Sequence, residues 1–253
     1  MDFDTAQRLS VLNTVFYREH SDSFSSTRQS AWPGWHTSFE LIKDNLLCGV
    51  SKLQVFDLAC GNMRYQRFLS NVLLSDTAWT YYAVDNCEPL VPQGHTAHYQ
   101  QLDVLDVLLE DLDLNEHFHA PLCDLAVCFG FMHHTPLQEN RARLLSCLVN
   151  QVRPGGYIIV TFWQFLNDIG LRAKALKTHE VALQELGLDK LEDNDFLLDW
   201  NKLEGVYRYC HSFTDEEIDE LVERVSDKTL LVSRFVSDGR SSLLNCYLVL
   251  RAH

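Results

Sequence analysis

A few side chains fall at spacings that can hold a nucleoside. Asp57 stands four positions before Gly61, and Asp85 lies 24 positions beyond that glycine. Glycine has no Cβ, so the backbone there can turn sharply and let a ligand approach closely. An acidic group about 20 residues after such a turn is spaced to accept hydrogen bonds from ribose hydroxyls. Asp103 can reach an adenine amino group or serve as an ordinary helix cap. Loops that cradle phosphates need several glycines, whereas Gly61 is followed closely by Met63. A nicotinamide dinucleotide is therefore disfavoured, and an adenosine ligand without phosphates fits better. A second set is cationic: Arg28, Arg208 and the imidazoles of His133, His134 and His211. Arginine can fork a carboxylate, and histidine can hydrogen-bond it. In a chain of formal charge −14, such a local cluster points to an acceptor that carries an anionic oxygen, a carboxylate first.

The elements that must place these groups follow from pattern. Val55 to Leu58 is a short buried strand ending at the glycine turn, and Tyr65, Phe68, Leu69 and Val72 recur at helical spacing behind it. Tyr81 to Val84 is a second strand, Leu102-Asp103-Val104 a third strand end, and Asp124 to Phe129 a fourth strand. The fourth opens into Gly130-Phe-Met-His-His134, at the carboxyl rim where doubly wound sheets bind ligands. One of these two histidines is expected to act there; the other reading is structural. Thr135-Pro-Leu-Gln138 has the form of a capping box with proline at the first helical position. Helix 137–151, a glycine turn at 152–156 and a fifth strand, Tyr157 to Phe162, follow, with Trp163 at its rim. Residues 165–186 read as helix and 187–205 as an acidic insertion. A helix capped by Thr214 and Glu217 comes next. The β-rich runs 229–236 and 243–251 are joined too tightly for a crossover, so they pair antiparallel. The second is apolar nearly throughout and belongs inside the sheet. Ahead of all this, 4–17 and 36–48 read as helices. Between them lie the polar stretch 21–30 and Ala31-Trp-Pro-Gly-Trp35, either a lid over a pocket or an aromatic anchor.

Composition narrows the function classes. With 253 residues, 46% of them hydrophobic, one sizeable α/β core forms without disulfides or metal. The eight cysteines lack framework spacing and predict reduced thiols in the cytoplasm. No apolar run approaches the about 20 residues of a membrane span, and the N-terminus lacks the pattern of a signal peptide. His117, His119 and Cys123 do not have the spacing of a zinc site, so no metal is expected. The acidic stretches 110–116, 189–199 and 215–223 read as solvated faces. They argue against broad, unaided contact with a phosphate backbone.

Asp57-Leu-Ala-Cys-Gly61, Asp85, the Asp124 strand and Arg153-Pro-Gly-Gly156 together resemble a class I S-adenosylmethionine methyltransferase. The resemblance implies an α/β, Rossmann-like, doubly wound and mostly parallel seven-stranded sheet with an antiparallel closing strand. It implies one methyltransferase domain over 1–253, with N-terminal helices and lid (1–50) and a cofactor-binding core (51–165). A helical and loop insertion (166–213) and the closing helix and strands (214–253) complete it. S-adenosyl-L-methionine is the implied cofactor, held by Asp57, Ala59, Gly61, Tyr65, Asp85, Asp103, Val104 and Phe129. Ala59 and Met63 replace the usual first and third glycines. The flanking Phe24-Ser-Ser-Thr-Arg28, Trp32-Pro33, His133-His134, Asp195 to Trp200 and Arg208-Tyr-Cys-His211 are similar to the methyltransferases that esterify 5-carboxymethyluridine at the tRNA wobble position. There the last motif more often reads Arg-Tyr-Tyr-His, so Cys210 departs. This implies a tRNA acceptor, a small zinc-binding activator subunit, and Arg28, His133, His134, Arg208 and His211 as catalytic positioners. Two other readings stay open: methylation of a small carboxylate or hydroxyl compound, and a non-catalytic S-adenosylmethionine-binding module.

Overall fold

The computed structural model describes residues 1–201 and 203–253. Three helices, α1 (Phe3–Glu19), α2 (Ser21–Ser26) and α3 (Pro33–Leu47), precede the first strand, β1 (Leu53–Leu58). Then come α4 (Arg64–Val72), β2 (Trp79–Asp85), β3 (His98–Gln101), α5 (Val104–Leu109), α6 (Leu114–His117), β4 (Cys123–Cys128) and α7 (Gln138–Asn150). The chain closes with β5 (Val152–Trp163), α8 (Ile169–Leu186), β6 (Asp195–Asp199), β7 (Tyr207–His211), α9 (Asp215–Glu223), β8 (Thr229–Ser237) and β9 (Asn245–Ala252).

Seven strands form one sheet in the order β3-β2-β1-β4-β5-β9-β8. β1 to β5 are mutually parallel, and β9 runs antiparallel to both β5 and β8. The chain winds outward from β1 through β2 to β3, then returns to start β4 on the other side of β1. That reversal opens a crevice above β1 and β4, the standard ligand position in such sheets.

Successive side chains of a strand face opposite sides, so the sheet is buried twice. Phe56, Ala126, Ile158 and Leu248 pack with Leu144 and Leu148 of α7 and Ile218 of α9. Val55, Val127, Ile159 and Val249 pack with Trp35 and Phe39 of α3 and Phe68 of α4. The two tryptophans divide: Trp35 is buried in the core as an anchor, while Trp32 borders the cavity described below. Between them, Gly34 lets the start of α3 lie against Tyr247, since a Cβ there would overlap its ring.

The segment 187–205 is more than an acidic insertion. Asp195–Asp199 and Tyr207–His211 pair antiparallel as a separate two-stranded sheet, so 166–213 is a helix followed by a β-hairpin rather than helix and loop. Phe196, Leu197 and Leu198 drive the pairing by burying themselves against α8 and its neighbours. Leu9 of α1, Ala182 of α8, Leu197 and Tyr209 share one cluster, which makes a cap over the carboxyl rim. α1 extends the hairpin edge: the Asn13 amide oxygen accepts from Tyr209 N–H (2.8 Å), and its nitrogen donates to Tyr209 C=O (3.1 Å). Among the described residues no helix is long and apolar enough to cross a membrane.

Candidate active site

Between the rim and this cap lies a cavity of about 450 Å³. All eight side chains or backbone positions expected to hold the cofactor border it: Asp57, Ala59, Gly61, Tyr65, Asp85, Asp103, Val104 and Phe129. Arg28, His133, His134 and Arg208 border it as well, and His211 does not.

The turn after β1 keeps a glycine-type backbone without the glycines. Ala59, Gly61 and Met63 sit at φ of 59°, 50° and 53°, the left-handed region that costs a residue with Cβ roughly 1–2 kcal/mol. Burial of Met63 and Cys60 in the core beneath holds the turn closed. Nothing lies within 4 Å of a Cβ built on Gly61, so the space in front of the turn is open.

Two carboxylates stand at strand ends on either side of this turn. Asp85 accepts from Gly61 N–H and Cys87 N–H, each at 2.8 Å, and burial still raises its pKa. These bonds aim the carboxylate at the cavity and leave lone pairs for further donors. Asp57 is buried, accepts from the Tyr81 hydroxyl, and is pushed up to about 7 by burial. Asp103 does cap a helix: its Oδ1 accepts from Leu105 N–H and Asp106 N–H at the start of α5. Its Oδ2 accepts from Thr14 and Asn86, both cavity residues. Tyr65 and Phe129 pack at a tilt with ring centroids 4.8 Å apart, and the Tyr65 hydroxyl is buried without a partner.

The paired histidines do different work. His134 donates from Nδ1 to Tyr209 C=O (2.8 Å), because a carbonyl can only accept. Its Nε2 then accepts from Tyr17 (2.6 Å). With both nitrogens used, and burial pushing its pKa down to about 3, His134 is a neutral strut between rim and cap. His133 has Nδ1 buried and unpartnered, and its ring packs at a tilt against Trp163, 5.0 Å between centroids. Burial and the adjacent cations hold it well below 6.5, so it is neutral.

His211 is placed elsewhere for a geometric reason. Along β7 side chains alternate, so Arg208 faces the cavity while Tyr209 and His211 face away. His211 bonds Asp195 (2.7 Å) and Glu217 (3.0 Å), and Tyr209 donates to the same Asp195 (2.7 Å). This buried network ties the hairpin to α9 and does not reach the cavity. Cys210, His133 and His134 bring three ligand-type atoms within 4.8 Å of one another. His134 Nδ1 is already committed to Tyr209, and the Cys210 thiol is pushed up to about 11 by burial, so the trio reads as packing.

The arginines define the other end of the cavity. Arg208 is 8% exposed and its Nε has no partner. Its guanidinium lies 5.6 Å from the Phe16 ring, 5.6 Å from Trp163 and 5.3 Å from Trp200. Arg28 lies 3.8 Å from Phe24 and 5.5 Å from the same Trp200. Burial and the charge of Arg208 push Arg28 down to about 10. Among the described residues neither pairs with a carboxylate.

Several cavity residues escaped the sequence reading: Tyr17, Asn62, Arg64 and Asn86. Arg64 was the legible one, since it opens the helix that follows the glycine turn. Asn62 donates to Ser25 Oγ (3.0 Å) and to Arg28 C=O (2.9 Å), linking the turn to α2. Only the folded chain brings these together.

The comparisons with known proteins agree with this geometry. Residues 56–160 match a family described as "Methyltransferase domain". The chain is 27% identical over 147 residues to the mouse tRNA (carboxymethyluridine(34)-5-O)-methyltransferase ALKBH8, covering 58% of this chain and 19% of that protein. It is 26% identical over 140 residues to the Arabidopsis thaliana tRNA (carboxymethyluridine(34)-5-O)-methyltransferase, covering 55% and 30%. The matched part is thus less than a third of either relative. Among solved structures, a Methanosarcina mazei S-adenosylmethionine-dependent methyltransferase aligns with a TM-score of 0.58 at 16% identity, covering 88% of this chain and 98% of that one. The Burkholderia thailandensis 1,6-didemethyltoxoflavin-N1-methyltransferase, with bound S-adenosylhomocysteine, aligns with a TM-score of 0.60 at 14% identity, covering 98% and 90%. Sheet order and rim carboxylates accord with that match: residues 56–160 carry a methyltransferase domain, on the fold of S-adenosylmethionine-dependent methyltransferases.

Proposed function

We propose that this methyltransferase esterifies a carboxylate, that of a 5-carboxymethyl group on a tRNA wobble uridine. One observation carries the anionic acceptor. Arg28 and Arg208 face the cavity without a carboxylate partner, in a chain whose net charge is −14. Burying an unpaired guanidinium is costly, and an anionic acceptor relieves that cost when it binds. The names of the two curated relatives support the uridine and the tRNA.

The cavity suits the cofactor: Asp85 offers free lone pairs for ribose, Asp57 offers an anion for an ammonium, and the Tyr65 hydroxyl lacks a partner. S-adenosylmethionine, when bound, supplies an electrophilic methyl group on a sulfonium. The protein's own part is positioning. A carboxylate with an ordinary pKa near 4 is ionised at pH 7, so no general base is needed. The neutral His133 and His134 accord with that. Arg208, caged by three aromatic rings, fixes the acceptor oxygen, and Trp163 and Tyr17 keep water away.

Asp57 makes the cofactor step pH-dependent. Its carboxyl is half protonated near pH 7 in the free protein. A cationic ligand prefers the ionised form, so affinity falls as pH drops through this pKa and rises above it. Binding at pH 7 should release about half a proton. Calorimetry in buffers of different ionisation enthalpy reads this directly, and Asp57→Asn should abolish it.

The eight unpaired cysteines support a reducing, cytoplasmic setting. A small zinc-binding activator subunit would add the basic phosphate contacts that an acidic chain lacks. The acidity also favours a second reading, a free small carboxylate as acceptor. Methyl-labelled S-adenosylmethionine separates the two when offered with tRNA bearing 5-carboxymethyluridine, unmodified tRNA or small carboxylates. Label should enter the modified tRNA alone and leave as methanol in mild base. Label in small carboxylates alone would reassign the acceptor, and base-stable label would refute the ester.

A further inference from the structure

We infer that Asn245, at the start of β9, reads the acceptor molecule: its amide oxygen accepts a hydrogen bond from a ring N–H on the molecule whose carboxylate Arg208 holds. The chemistry it fits is a lactam, the N3–H of a uracil. A cytosine-type ring nitrogen, itself an acceptor, is turned away. The assignment deepens the carboxymethyluridine reading above and rests on it.

Asn245 is 7% exposed and borders the cavity. Its orientation is set from behind. The Nδ2 donates to Asp238 (2.9 Å), and a carboxylate can only accept, so the amide nitrogen must face Asp238. The oxygen is left over, and among the described residues no donor reaches it. Nor is it sealed off by protein, so it opens on the cavity. Asp238 is held in turn. It accepts from Gly34 N–H (3.0 Å) and from the Tyr247 hydroxyl as well. It is buried at a left-handed φ of 69°, a strained backbone that three donors to one carboxylate sustain.

Position ties this oxygen to the acceptor rather than to the cofactor. Asn245 pairs directly with Trp163 of β5, so both side chains leave the same face of the sheet, about 5 Å apart at Cβ. Trp163 is also the ring that meets Arg208 (5.6 Å) and His133 (5.0 Å). Arg208 Nε, His133 Nδ1 and Asn245 Oδ1, each without a partner among the described residues, therefore surround one indole. A planar ring against that indole would stack as bases do on aromatic side chains, with its carboxylate toward Arg208 and its N–H toward Asn245. Asp57 and Asp85, by contrast, end β1 and β2, three and four strands away from β9. At the spacing of neighbouring strands that is about 14 and 19 Å.

The test uses anticodon stem-loop RNAs that carry 5-carboxymethyluridine or its N3-methyl derivative, which keeps the carboxylate and loses the N–H. Initial rates on the full chain should favour the N3–H substrate by about 10- to 100-fold, as for a buried hydrogen-bond partner left unmade. Asn245→Leu and Asn245→Ala should each lower transfer to that substrate by about the same factor. The N3-methyl substrate should stay within about threefold, so the preference collapses. Cofactor affinity should also stay within about threefold in both variants, which shows that they are folded. Arg208→Ala should slow both substrates alike. Equal wild-type rates on the two RNAs would overturn the role of Asn245 and leave the ester reading intact, whether or not the variants fold. An unchanged preference in both variants would overturn it too. Equal loss on both substrates would make Asn245 only a structural tie to Asp238. If the wild-type chain, with cofactor bound, methylated neither RNA, the carboxymethyluridine reading would fall and this assignment with it.

Discussion

Replacing Arg208 with alanine is expected to lower methyl transfer by about 30- to 1,000-fold, corresponding to ~2–4 kcal/mol for a lost bidentate charged contact. Cofactor affinity should change by less than about threefold, because distant, non-contacting sites act nearly independently. The size follows from how the side chain is held. Phe16, Trp163 and Trp200 surround the guanidinium, so its donors are fixed before any ligand arrives and little entropy is lost on contact. Arg28 stands on the short segment after α2 and is less buried, so its removal should cost less. Arg208→Lys keeps a charge in the cage but loses the planar fork, and should recover only part of the rate. The measurement is an initial rate at saturating cofactor, beside a cofactor titration on the same preparation. Full activity in Arg208→Ala would place the acceptor elsewhere in the cavity.

Removing residues 243–253 should abolish folding. β9 lies inside the sheet, hydrogen-bonded to β5 on one side and β8 on the other. Its loss would leave the facing edges of both neighbours unpaired and β8 detached. Tyr247, Leu248, Val249 and Leu250 are each fully buried, alternating between the two core layers. Burial of each such side chain contributes about 1.5–3 kcal/mol, and together they rival the about 5–15 kcal/mol of a typical domain. The truncated chain should therefore be insoluble or lack a cooperative unfolding transition. Leu248→Ala gives a graded version, with an expected loss of about 2–5 kcal/mol in denaturant titration. A soluble, cofactor-binding truncation would mean that β9 is dispensable.

The carboxylate end of the cavity was legible because its signals are local. Asp57, the turn at Gly61 and the amphipathic α4 are contiguous, and Asp85 sits at the end of the next strand. Covalent spacing alone brings these to one rim once the strands are parallel. The last strand was legible for a similar reason: an apolar run with weak alternation must be buried on both faces. The departures at Ala59 and Met63 did not change the turn, since burial beneath it enforces the left-handed backbone that glycine adopts freely.

The arginine end of the cavity depended on pairings between distant segments. Nothing local marks Asp195–Asp199 as a strand within an acidic stretch; its partner Tyr207–His211 and the cover from α8 decide it. That pairing fixes which way β7 faces, and strand alternation then separates Arg208, in the cavity, from His211, bound to Asp195 and Glu217. The division between His133 and His134 is likewise tertiary, because only the approach of Tyr17 and Tyr209 satisfies one ring and leaves the other free. By itself the sequence determined the sheet, the turn and the carboxylates that face the cavity. The folded chain decided which cations face the cavity, because a side chain's direction is set by the register of elements far apart in the sequence.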